Sequence, residues 1–179
     1  MKKSSFAMAL LTVTLIFTSG LRAAGGPSGS TLVTEIILKA KLNKKTQMKG
    51  FKTDIQRDAT DNKNFRKVLY TAKHLQLVLM SLKPGEEIGS ETHAKSDQFF
   101  RFEGGTGKCI INSTSYTVKD GDVIIIPAGS KHNVINTDAH TDPKLYTIYA
   151  IPQHKDGIIR ATKKDAEQHE AKFYGKTTE

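Results

Sequence analysis

The chain has 179 residues, with 27 Lys+Arg against 18 Asp+Glu, a formal charge of +9, and 37% hydrophobic residues. That length suits one domain with a real core, and the apolar fraction excludes a disordered chain. A single Cys excludes an internal disulfide framework and any multi-thiolate zinc site, so a metal has to be held by His, carboxylate or amide oxygen.

Lys2 and Lys3 open the chain ahead of Phe6 to Phe17, twelve residues that are apolar or Thr, and the small, polar stretch TSGLRAAGG follows. This pattern predicts a secretion signal over residues 1–24 and hence an exported protein, periplasmic or secreted. A bilayer-spanning helix takes about 20 residues, so no stable membrane association is expected after cleavage. Without the signal the charge falls to +6, because Lys2, Lys3 and Arg22 leave and no acid does.

Residues 25–65 read as linker and lead-in. GGPSGS (25–30) is flexible by composition, Leu32 to Leu42 fits either a strand or a short helix, and 54–64 is polar with few order signals. Six lysines lie between Lys39 and Lys52 with no acid among them, a run that reads first as a solvated lead-in, with a patch for an anionic surface as the alternative. Phe51 is the one interleaved aromatic, so base stacking lacks support and no nucleic-acid partner is expected. From residue 53 onward 18 cations face 17 acids, a nearly neutral body.

Residues 66–152 change character. Short apolar segments (KVLYTA, LQLVLMSL, QFFRF, KCIIN, SYTV, DVIIIP, HNVIN and LYTIYA) alternate with the turn signals PGEE, GGTG, Asn112–Ser113, Lys119–Gly121 and PAGSK. Strands of four to eight residues at that spacing predict an all-β sandwich or barrel. Gly104 to Gly107 lies between two such strands and predicts a hairpin turn rather than a phosphate cradle. The tail, 153–179, is polar, and Thr162 to Phe173 predicts a surface helix with Thr162 as its cap.

Two segments hold the residues with chemistry, Pro84 to Gly105 and Gly121 to Asn136. Glu91 and His93 are two apart, so on a strand they share a face. Gln98 opens the next strand, with Asp97 pointed the other way by alternation, and His132 follows the PAGSK turn. Glu91, His93, Gln98 and His132 are thus four candidate donors able to converge inside a small barrel. Two imidazoles with oxygen donors suit a divalent metal: Mn, Fe(II), Ni or Zn.

Gly121, Pro127, Gly129, His132 and Asn136 match the second cupin motif, G-x5-P-x-G-x2-H-x3-N, without a gap. The first motif, G-x5-H-x-H-x4-E-x6-G, is matched in spacing by Gly85, Glu91, His93, Gln98 and Gly105, with Glu91 in place of the first His and Gln98 in place of the Glu. In these residues the chain resembles the cupin superfamily. The runs NFRKVLYT, QLVLMSLKPGEEIG, DQFFRFEGGTG and PAGSKHNVIN resemble its cupin-2, mannose-6-phosphate isomerase-like bacterial subgroup. The resemblance implies an all-β, single-domain jelly-roll (double-stranded β-helix) barrel, metal ligands at His93 and His132 with Glu91 and Gln98 in the matching positions, and a homodimer. Phe100 and Phe102 are expected as pocket wall and core, Asn136 as a backbone brace, His74 and His140 at the surface, and Cys109 as a buried thiol. His154 is placed to close over the barrel mouth.

Three functions stay open at this level: a metal-dependent enzyme on a small organic substrate (a sugar or an acid), a non-catalytic cupin binding a metal or small ligand, and a sugar-phosphate isomerase. The third wants cations at the barrel mouth, for which the sequence offers only Lys95, Lys131 and Arg160.

Overall fold

The computed structural model describes residues 29–45 and 48–179. The expected signal segment and the first part of the linker lie outside the described residues. The chain divides into two units, residues 1–47 and 48–179, each taken here by itself.

In the first unit, α1 (Gly29–Lys45) resolves the ambiguity of Leu32 to Leu42 in favour of a helix. The good helix formers of LKAKLNKK outweigh the β-branched residues before them. The helix also takes in Gly29 and Ser30, which composition had assigned to a flexible linker. Among the described residues, no helix is long and apolar enough to cross a membrane.

The second unit opens with a correction. The polar stretch 54–64 holds a helix, α2 (Ile55–Asp61). The Asp54 carboxylate caps it by accepting from the Arg57 N–H at 3.2 Å, which satisfies one of the amides a helix start leaves open. Ala59 is fully buried, so one small apolar residue seats the helix while its other faces stay polar.

The strands are β1 (Arg66–Thr71), β2 (Gln76–Ser81), β3 (Glu91–Thr92), β4 (Asp97–Gly104), β5 (Thr106–Ile111), β6 (Thr114–Lys119), β7 (Val123–Ile126), β8 (Lys131–Asn136), β9 (Lys144–Ala150) and β10 (Ile159–Arg160), followed by α3 (Lys163–Gln168). All eight expected strands are present. A six-stranded sheet runs β10-β1-β2-β9-β4-β7 and a four-stranded sheet runs β3-β8-β5-β6, with every pairing antiparallel. In β4, β8 and β9 burial alternates residue by residue, the period-two pattern of strands with one face on a core. Phe100, Phe102, Val134, Leu145 and Tyr149 fill the space between the sheets, each large apolar side chain contributing about 1.5–3 kcal/mol of burial.

The hairpin between β4 and β5 turns at Gly105, whose φ is +76°. A Cβ there would lie 2.8 Å from the Cα of Pro143, so both the conformation and the packing require glycine. Asn136 is the expected brace: its amide donates to the Leu82 and Thr141 carbonyls, and its oxygen accepts from the Asp138 N–H.

The barrel does not stop at residue 152. β10 pairs with β1, Arg66 opposite Arg160, and the intervening segment is pinned from inside. The Gln76 side chain, fully buried, accepts from the N–H groups of Gln153 and His154 and donates to the His154 carbonyl and the Thr71 hydroxyl. The tail helix is shorter than its sequence pattern, ending at Gln168, with Thr162 as the foreseen cap.

Candidate metal centre and the adjoining cleft

Register sets the core of the site. β3 and β8 pair with Glu91 directly opposite His132, and His93 follows two residues after Glu91, its carbonyl accepting from the Gly129 N–H at 2.9 Å. The result brings His93 Nε2 to 3.2 Å and His132 Nε2 to 3.4 Å from Glu91 Oε1. Donors bound to one ion at about 2.1 Å sit roughly 3–3.5 Å apart, so these separations suit a shared metal. The three ligand atoms all lie within 4.8 Å of one another.

Protonation favours the same reading. His132 Nδ1 lies 3.0 Å from the Ser130 carbonyl oxygen, which only accepts. Nδ1 therefore carries a proton, and Nε2 is the ring nitrogen turned to Glu91 and the site. Both Nε2 atoms are enclosed and have no aligned hydrogen-bond partner, although the carboxylate is close. Burial alone would raise the Glu91 pKa, but the two imidazoles outweigh it and hold the carboxyl at about 2. Tyr149 packs edge-on against the His93 ring at 5.2 Å, and Phe100 packs against His132 at 6.4 Å, which limits ring reorientation.

Gln98 is buried on β4, as alternation required, while Asp97 faces outward and accepts from the Ala128 N–H. The Gln98 amide donates to the Thr147 hydroxyl at 3.0 Å, which leaves Oε1 enclosed and without a partner. The cluster is thus Glu91, His93 and His132, and Gln98 stands on β4 of the other sheet with its amide oxygen unpartnered.

Beside the cluster lies a cleft of about 550 Å³. Glu91 and His93 form one wall, and Phe65, Arg66, His154 and residues of and after α3 form the other. His154 is buried, as its placement over the mouth implied, with its Nε2 3.3 Å from the Tyr149 hydroxyl and its ring edge-on to that tyrosine at 5.3 Å. Burial first, and then the Arg66 charge, lower its pKa to about 3, so the ring is neutral. Burial also raises the Tyr149 pKa.

The cupin model, described as "Cupin domain", matches residues 78–149. The solved structure of BH2720 from Bacillus halodurans is 39% identical and superposes with a TM-score of 0.66, covering 69% of this chain and 98% of that one. The chain belongs to the cupin superfamily. Among curated relatives, this cupin is similar to the uncharacterized protein YrkC of Bacillus subtilis (strain 168), 44% identical over 124 residues that make up 66% of each chain. It is also similar to an uncharacterized protein of Acanthamoeba polyphaga mimivirus, 38% identical over 116 residues, covering 63% of this chain and 72% of that one.

The cupin motifs located the cluster but not the cleft's far wall. Among the described residues its cations are Arg66, Lys163 and Lys172, not the anticipated Lys95, Lys131 and Arg160. One signal for Arg66 was present: it stands two residues before buried Val68, hence on the inward face of β1. Tyr149 had looked like an ordinary strand aromatic, and only the tail folding back makes it a partner of His154.

Proposed function

We propose that this chain is an exported cupin that holds one divalent metal on Glu91, His93 and His132 and acts on a small organic molecule in the adjoining cleft. The observation that carries this is the pair of enclosed Nε2 atoms, without hydrogen-bond partners, facing one carboxylate oxygen. Two imidazoles and a carboxylate suit Mn, Fe(II), Ni or Zn, and the unpartnered Oε1 of Gln98 is the candidate fourth donor. When bound, the ion would supply Lewis acidity toward a substrate oxygen. The chain's own residues orient and enclose. Ser130 sets the His132 tautomer, and Tyr149 and Phe100 hold the imidazoles. His154, with a pKa of about 3, is a neutral wall and a poor base. Sugar-phosphate isomerisation is the weaker alternative, because Lys163 and Lys172 already face Glu87, Glu167 and Glu170.

Elemental analysis of the purified protein tests the metal. The wild type is expected to hold about one equivalent, and His93→Ala and His132→Ala are each expected to lose most of it. If neither substitution lowers the metal content, the reading fails. Turnover of a substrate panel that disappears with chelation and returns with metal would establish catalysis, and binding without turnover would leave a metal-dependent binding protein. Export rests on the basic start and apolar run before residue 25, and the N-terminal sequence of protein recovered outside the cytoplasm tests it. Homodimerisation would use the β7 edge, where Val123 and Ile125 are exposed, and sedimentation of Ile125→Asp as a monomer is the expected result.

A further inference from the structure

Three cations, Arg66, Lys163 and Lys172, and three acids, Glu91, Glu167 and Glu170, line the cleft. Lys163 lies 3.8 Å from both Glu87 and Glu167, and Lys172 lies 4.0 Å from Glu170. Glu91 belongs to the imidazole cluster. Arg66 is different. It lines the same cleft, its Nε is enclosed without a hydrogen-bond partner, and no acid pairs with it among the described residues. Its guanidinium carbon stands 5.7 Å from the Phe65 ring centroid, a contact that steadies it without neutralising it. The buried His154 ring lines the same cleft, within electrostatic reach of Arg66, Glu91 and His93.

An unpaired, partly enclosed guanidinium is costly unless something anionic meets it, and its planar fork matches an oxyanion. We propose that Arg66 is the recognition residue for the carboxylate of a small organic acid, which lies in the cleft with an oxygen at its other end facing the Glu91–His93–His132 cluster. This deepens the reading of a metal-bearing cupin and rests on it for the second contact only. A carboxylate carries one charge, equal to that of the one lining cation with no acid beside it. A phosphate dianion would bring an excess negative charge into a cleft already lined by Glu167 and Glu170. The neutral His154 wall neither competes with Arg66 for the carboxylate nor adds a second positive charge.

The test is calorimetric titration of the full chain with lactate, pyruvate and inorganic phosphate, on both metal-loaded and chelator-treated samples. Lactate or pyruvate is expected to bind the wild type. Arg66→Met is expected to weaken that binding about 10- to 100-fold, the range for a charged hydrogen-bonded pair, and Arg66→Lys to fall between the two. Lys119→Met, at an exposed position, should match the wild type. Because no acid pairs with Arg66 among the described residues, the thermal midpoint of Arg66→Met without ligand is expected to equal or exceed the wild type's, whereas saturating lactate should raise only the wild type's midpoint. The metal content of both Arg66 variants should stay at the wild-type level.

The proposal is overturned if neither acid binds the wild type, if Arg66→Met binds as well as the wild type, or if phosphate binds more tightly than either acid. A fall in metal content in the Arg66 variants would overturn it too, by making Arg66 a positioning residue of the metal site. If the wild type holds no metal, the metal reading fails alone, and carboxylate binding to the chelator-treated protein still decides the role of Arg66.

Discussion

Replacing Gln76 by Leu isolates the tie between the barrel and the segment that closes its mouth. Leucine nearly conserves the volume, so the change removes hydrogen bonds without opening a cavity. Gln76 makes four of them: to the Thr71 hydroxyl at 3.0 Å, to the His154 carbonyl at 2.6 Å, and from the N–H groups of Gln153 and His154 at 3.2 and 2.9 Å. The two backbone groups of buried His154 are left without partners, at about 1–3 kcal/mol each. Gln153 N–H is only partly buried and is rescued by water, and the added apolar burial returns about 1 kcal/mol. The net loss is about 3 kcal/mol. For a unit of this size that lowers the thermal midpoint by roughly 10 °C and the urea midpoint by roughly 1.5 M at unchanged slope. Hydrogen exchange should quicken at Lys155 and Phe173, whose amides bond across the tail to Ala171 and Gln153. A stability loss below about 1 kcal/mol, or unchanged exchange at those amides, would refute the clamp.

The remaining expectations concern pH and backbone geometry. Folding holds His154 neutral, with its pKa lowered to about 3, while the unfolded chain protonates the ring below about pH 6.5. The unfolded state therefore takes up the proton first, and stability of the metal-free protein should fall by about 1 kcal/mol per pH unit from pH 6 to 4. His154→Phe should flatten that slope in pH-dependent urea titrations, and an unchanged slope would count against the burial argument. Glu91 acts lower: its depressed pKa contributes stability that is present above about pH 4.5 and is lost as the pH falls toward 2. Gly105→Ala should cost at least about 2 kcal/mol by chemical denaturation, since its positive φ and the Pro143 backbone both oppose a side chain.

The strands were readable from local pattern, and the three clustered donors from motif spacing. Alternation of apolar residues places Phe100, Phe102 and Gln98 on one face and Asp97 on the other, because a strand's period is fixed at two whatever its partners. The motif spacing around Glu91, His93 and His132 is readable for a similar reason: short turns of set length return the chain to the same point. What was not readable is decided by contacts distant in sequence. Residues 54–64 carry only one buried apolar residue, Ala59, too little for a helical stripe to show, and the Asp54 cap is the sole local sign of α2. The far wall of the cleft depends on Gln76 seizing residues 153 and 154, nearly eighty positions away, and no local signal announces such a pairing.

The three clustered donors all belong to β3, its continuation and β8 in the four-stranded sheet, whereas Arg66 and Gln98 stand on the six-stranded one. On the proposed reading, the three-donor cluster and the acid-binding Arg66 stand on separate halves of the sandwich, with Gln98, the candidate fourth donor, on the Arg66 side. An exchange at position 66 would then retune which molecule is accepted while the three donors keep their geometry, and a change among those three would leave the grip intact. A guest that touches both would also act as a removable crosslink between the sheets and slow their separation. Occupancy should then be visible as slower unfolding even where the midpoint barely moves.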